Sequence, residues 1–169
     1  MEAIDAILTR RSIRNYIAGK PLPDEVIETL LRAAMSAPSA GNVCPWRFIV
    51  IRDRDILENK IPGLHPNASF AKYAAAAILV CGDTTDERFG GYWVQDCSAA
   101  MENLLLAAHS LGLGACWCGV YPRDQRTADV RALLTIPPEL TPLGFSTIGY
   151  TDRKKDAPDR FDPAKVMYV

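Results

Sequence analysis

Between Ala99 and Ala108 the chain offers only two polar residues, Glu102 and Asn103, within a stretch from Tyr92 to Leu111 that reads as its longest helix. A helix that is apolar nearly all round must be covered on most sides, by its own sheet or by another subunit. The chain has 169 residues, so few elements are available to cover it, and a dimer is expected. Asp96, Glu102, Asn103 and His109 interrupt the run, which leaves it short of the ~20 apolar residues needed to cross a hydrocarbon core.

Length and a 49% share of hydrophobic residues fit a single domain, 1–169, with a sizeable core. A net charge of -1 gives no overall attraction to nucleic acid or to an anionic membrane, so neither is an expected partner and cationic clusters are read locally. The opening Met1-Glu2-Ala3-Ile4-Asp5 carries acids and no long apolar run, unlike a secretory signal; a cytoplasmic location is expected. Cys44, Cys81, Cys97, Cys116 and Cys118 make an odd count, which argues against a disulfide framework. One residue separates Cys116 from Cys118, not the two of a redox or zinc pair, and neither His65 nor His109 has ligand spacing to them. No metal site is expected.

Residues 2–9 read as a short helix. Pro23, Asp24 and Glu25 open a second, where Pro suits the first helical position and the acids suit the positive end of the dipole. Val26, Ile27, Leu30, Leu31 and Ala34 form its apolar stripe, and Pro38 ends it. Strands are expected at Trp46 to Ile51, Ala74 to Cys81, Ala115 to Tyr121 and Leu143 to Tyr150, the second as an uninterrupted apolar run typical of a buried central strand. Residues 60–73 read as loop and short helix, and Pro122 to Leu134 as helix. Gly112-Leu113-Gly114 caps the long helix. The final Val166-Met167-Tyr168-Val169 reads as an edge strand, on its own subunit or a neighbour.

Two segments carry chemistry. Arg10-Arg11-Ser12-Ile13-Arg14 places three guanidiniums and a hydroxyl in five residues. In an extended segment Arg10, Ser12 and Arg14 point the same way, and planar forks with a hydroxyl suit phosphate oxygens. Compensation of a helix C-terminus explains one or two of these arginines but not the alternation. Ser36-Ala37-Pro38-Ser39-Ala40-Gly41-Asn42, followed by Pro45-Trp46, brings backbone and short polar groups close to a flat ligand. Position 117 is Trp where the third glycine of a dinucleotide fingerprint would fall, and no GxxxxGK[ST] loop is present, so neither a Rossmann site nor a P-loop is supported.

Taken in order, these segments resemble the FMN-dependent nitroreductase family. The resemblance runs through Arg10 to Tyr16, Ala37 to Asn42 with Pro45-Trp46, Leu105 to Gly114, Cys116-Trp117-Cys118-Gly119, Ile136 to Glu139 and Ile148-Gly149-Tyr150. It implies an α+β three-layer sandwich, a mostly antiparallel central sheet flanked by helices, in an intertwined homodimer with FMN at the interface. By that resemblance Arg10, Arg11, Ser12 and Arg14 hold the ribityl phosphate and the flavin's polar edge. Pro38, Ser39, Ala40 and Asn42 approach from the other subunit, backbone amides at Cys118 and Gly119 face the flavin, and Arg160 is a further phosphate ligand. Cys44 stands where many relatives carry Gln, Cys118 where some carry an acid, and Pro158-Asp159 where a Lys is common, with Lys155 its nearest substitute.

The implied activity is ping-pong transfer of hydride from NADH or NADPH, through FMN, to a small-molecule oxidant such as a nitroaromatic or quinone. No side-chain nucleophile is required, because the cofactor supplies the hard chemistry. A cation near the flavin's pyrimidine edge, Arg10 or Arg14, would stabilise the reduced form. Phe89, Tyr92 and Trp93 form an expected aromatic rim for a flat substrate, with core or dimer packing the competing reading. Other flavin reactions on the same fold (fragmentation, dehalogenation, azoline oxidation) and a non-catalytic flavin-binding dimer are the alternatives.

Overall fold

The apolar run after Ala74 becomes the middle of the molecule. In the computed structural model, which describes residues 1–65, 67–85 and 88–169, β2 (Ala76–Asp83) lies between β1 (Trp46–Ile51) and β4 (Leu140–Tyr150), and β3 (Leu113–Gly119) pairs with the far side of β4. Every pairing is antiparallel. Side chains alternate across a strand, so Ala76, Ile78 and Val80 enter one core while Ala77, Leu79 and Cys81 enter another on the opposite face. Both faces of β2 are buried, which is why its sequence shows no polar alternation.

Helices α2 (Asp24–Met35) and α4 (Trp93–Ser110) cover the first face. The second is covered by α3 (Ile61–Leu64), α5 (Asp124–Leu134) and the π-turn Ile56–Lys60. Helix α1 (Ala3–Thr9) touches α4. This is the three-layer α+β sandwich that the resemblance implies. Eight residues of α4 are buried, Met101 and Leu104 completely; each such side chain contributes about 1.5–3 kcal/mol on burial. Val94, Ala99, Leu106 and Ala107, on the rest of its circumference, stay only half-buried, so the all-round apolar pattern exceeds what one chain covers.

Pro142 lies inside β4, a position its missing N–H would disfavour in a regular ladder. Val80 pairs with Gly144 but Cys81 pairs with Pro142, so Leu143 is the extra residue of a bulge. The bulge turns Leu143 into the α4 core while Phe145 enters the other. Its carbonyl accepts from the N–H groups of both Val120 and Tyr121, at 3.0 and 3.1 Å. The final Val166 to Val169 pair with no strand among the described residues. They are exposed, Tyr168 at 92%, so the expected edge strand is absent from the single chain.

Candidate functional site

β3 is an outer strand, and its free side is where the arginine-rich segment lies. Ile13 donates its N–H to Ala115 O at 2.9 Å, and Ser12 forms a parallel bridge with Ala115. Ile13 is buried, packed so closely that a Cβ on Gly114 would stand 2.7 Å from its Cγ2. Burial of Ile13 holds its neighbours in place. Ser12 and Arg14 face Cys116, whose charge they influence, while Arg11 turns toward the tail and donates from Nε to Asp156 O at 3.0 Å. Lys155 donates to Ser12 O at 3.0 Å. Arg10 departs from the expected common direction. It lies at the C-terminus of α1, and its Nε donates to Glu102 of α4 at 2.9 Å. Arg14 sits over the Phe70 ring, 5.8 Å from its centroid.

The Tyr16 hydroxyl ties the far end of this segment to the sheet. It lies 2.8 Å from Ile13 O, 3.1 Å from Thr147 O and 2.8 Å from Thr147 Oγ1. Burial pushes the phenol pKa up strongly, so it remains a donor at any ordinary pH.

Backbone register assigns the edge donors. Ala115 directs its backbone to the Ser12 segment and Val120 directs its N–H to β4. Antiparallel strands alternate residue by residue, so Cys116 and Cys118 bond into the ladder and Trp117 and Gly119 present their N–H groups to the open edge. This corrects the expectation for Cys118: its amide is engaged with β4, whereas that of Gly119 faces the open edge of β3. The Gly119 carbonyl accepts from Arg126 Nη1 at 2.9 Å. The Trp117 indole N–H, buried beside Gly144, has no hydrogen-bond partner among the described residues.

Cys116 and Cys118 point to one face of β3, both buried. Cys116 is held below the usual thiol range by its neighbour Cys118 first, then by Arg14, Ser12 and Lys155, against the opposing effect of burial. Cys118 is pushed strongly upward by its neighbour and by burial.

The second segment lies elsewhere. Ser39 Oγ accepts from Cys44 N at 3.0 Å, and Ala40 N–H donates to the buried Asp96 carboxylate on α4 at 3.0 Å. Gly41 and Asn42 both have φ of 55°, a left-handed turn that glycine adopts freely. The Phe89 ring covers Gly41 so closely that a Cβ there would fall 2.4 Å from it. Phe89 and Tyr92 are half exposed, with ring centroids 6.3 Å apart. Trp93 is buried against Gly82, edge-on to Tyr121 at 4.9 Å, in keeping with the packing reading, which leaves Phe89 and Tyr92 as the exposed pair. Pro38 is exposed near the same loop, and Arg160 is exposed in the tail. Within one chain the loop and the arginine-rich segment do not meet. Asp96, which anchors the loop, was missed as a functional residue; the only signal was an acid interrupting an otherwise apolar helix.

These features define a class: an antiparallel α+β sandwich with a cationic cradle along its open edge strand. The nitroreductase family profile matches residues 7–80 and 65–150, and the chain belongs to that family. A Methanothermobacter thermautotrophicus protein, provisionally named an NADH dehydrogenase/NAD(P)H nitroreductase, is 48% identical over 166 residues, covering 98% of this chain and 86% of its own. A provisionally named NADH dehydrogenase/NAD(P)H nitroreductase from Parabacteroides distasonis superposes with a TM-score of 0.92 at 38% identity, covering 98% of this chain and 96% of that one. The FMN-dependent nitroreductase of Clostridium difficile superposes with a TM-score of 0.87 at 32% identity, covering 98% of each chain.

Proposed function

We propose that this chain is an FMN-dependent oxidoreductase that acts as a homodimer. It takes electrons from NADH or NADPH and passes them, in ping-pong order, to nitroaromatic, quinone or similar small acceptors. The observation that carries this reading is the cradle of Ser12, Arg14 and Lys155 on the open side of β3, toward the end of the strand where the Gly119 amide faces outward. The donor set fits the cofactor: guanidiniums, an ammonium and a hydroxyl suit a phosphate dianion, and an unpaired edge N–H suits an acceptor atom on a flat ring. When bound, FMN supplies the two-electron chemistry between donor and acceptor.

The chain's own residues bind and orient. Lys155 supplies charge to the phosphate, Arg11 holds the tail segment that carries Lys155 through Asp156 O, and the Ser12 hydroxyl adds a donor. Arg14, braced by Phe70, holds positive charge near the ring. Gly119 N–H fixes the ring edge. Arg10, anchored on Glu102, stiffens the junction between α1 and the cradle. The Pro38–Asn42 loop reaches the cradle of a second copy, since it does not reach its own. Exposed Ile4, Ile7 and Leu8 on α1 and the apolar tail at Phe161, Met167 and Tyr168 supply the apolar surface that such a dimer buries.

The test is the visible absorbance of the purified protein before and after anaerobic NADH, then NADPH, followed by a quinone. Flavin absorbance that bleaches with a donor and returns with the quinone is expected. A protein that cannot be loaded with FMN would sink the reading.

A further inference from the structure

A cleft of about 660 Å³ opens between the loop 18–22, the residues that follow β1, and the turn 72–75. That volume falls among those of small-molecule sites, roughly 300–1,000 Å³. It lies where β1 ends and β2 begins; the Ser39–Asn42 loop is roughly 20 Å and Gly119 roughly 13 Å farther along the sheet, while the Ser12–Ala115 bridge stands level with Ala76, two strands across. None of the cradle residues lines it.

Its charge is one-sided. Lys20, Arg52, Arg54 and Lys72 line it against a single acid, Glu58, in a chain whose net charge is -1. The arginines are committed. Arg54 donates to Glu58 Oε1, to Ala74 O at 2.7 Å and to Lys72 O at 2.6 Å, which makes it a fixed wall. Arg52 pairs with Asp24 at 2.5 Å. The lysines have no acidic partner among the described residues. Lys20 Nζ stands 3.8 Å from the Tyr150 ring centroid, and Lys72 Nζ 4.9 Å from that of Tyr73. Each ammonium is steadied by a ring face while its charge stays uncompensated by carboxylate. Uncompensated like charges around one concavity attract an anion, and Lys binds phosphate as a point charge. Tyr73, half exposed at 47%, adds a flat surface on which a base can stack.

We propose that this cleft is a second ligand site, which binds the phosphate of a nucleotide-sized molecule between Lys20 and Lys72 with its base against Tyr73. The site shares no lining residue with the cradle proposed for FMN.

The experiment is calorimetric titration of the FMN-saturated protein with AMP and, separately, with inorganic pyrophosphate. Saturable AMP binding that weakens with added salt is expected. In the Lys20→Ala/Lys72→Ala double variant it should fall at least about tenfold, with flavin absorbance and its bleaching by NADH unchanged. Tyr73→Ala should weaken AMP and leave pyrophosphate alone. Equal AMP affinity in Tyr73→Ala would overturn the nucleotide assignment in favour of a free phosphate ion. Absence of binding to the wild type at millimolar concentrations, or unchanged binding in the double variant, would overturn the site. Failure of the cofactor reading appears separately, as a colourless protein whose anion titration is still readable.

Discussion

At the scale of single residues, charge and burial give the sharpest expectations. Cys116 should titrate below the usual cysteine range, followed through cysteine Cβ chemical shifts. Cys116→Ser should remove that step and Arg14→Ala should move it upward, because a cation that favours the thiolate is lost. His65 is buried and its pKa is lowered by desolvation and then by Arg126. Below pH 6.5 the unfolded chain binds a proton that the folded chain refuses, so stability should fall as pH drops from 6.5 to the lower folded value. Urea midpoints at pH 7.5 and 5.5 measure this, and His65→Gln should flatten the difference. Tyr16→Phe removes a buried donor from the Ile13 and Thr147 acceptors and should cost about 1–3 kcal/mol in urea unfolding. At this scale the sequence was only partly legible. The alternation of Ser12 and Arg14 was visible, but the diversion of Arg10 to Glu102, 92 residues away, leaves no trace in local spacing.

At the scale of elements, patterning carried most of the fold. β1 was read at its observed limits, because Trp46 to Ile51 ends in a cluster of charges. β3 was read two residues late: Gly112 alone caps α4, with φ of 74°, and Leu113 and Gly114 already pair with Tyr150 and Gly149. β4 starts three residues before its expected limit because the bulge at Leu143 makes room for Pro142, and a bulge depends on the partner strand. Gly114 is the contact on which the cradle's position depends. Gly114→Ala should force Ile13 away from β3 and cost about 1–3 kcal/mol of stability. FMN affinity should fall more than in Gly63→Ala, where a Cβ meets open space; fluorescence titration with FMN compares the two.

At the scale of the whole molecule, the half-covered flank of α4, the apolar residues of α1 and the exposed tail are the surfaces that the proposed dimer would bury. Removal of residues 161–169 should shift sedimentation equilibrium from dimer toward monomer and weaken FMN retention together. A tail that acts only on its own subunit would leave the association state unchanged. The sequence signalled through α4 that cover is needed; for the tail it left the partner open, own subunit or neighbour, and within the single chain the tail pairs with no strand among the described residues. The Ser12–Ala115 bridge has a colloidal consequence as well. An outer strand with free N–H and C=O groups is a template on which other molecules stack, and the cradle segment shields part of β3 from that fate. Whatever pins the segment also guards solubility. Protein stripped of its ligand should therefore turn cloudy on standing, faster than loaded protein, while its helical circular dichroism is still intact.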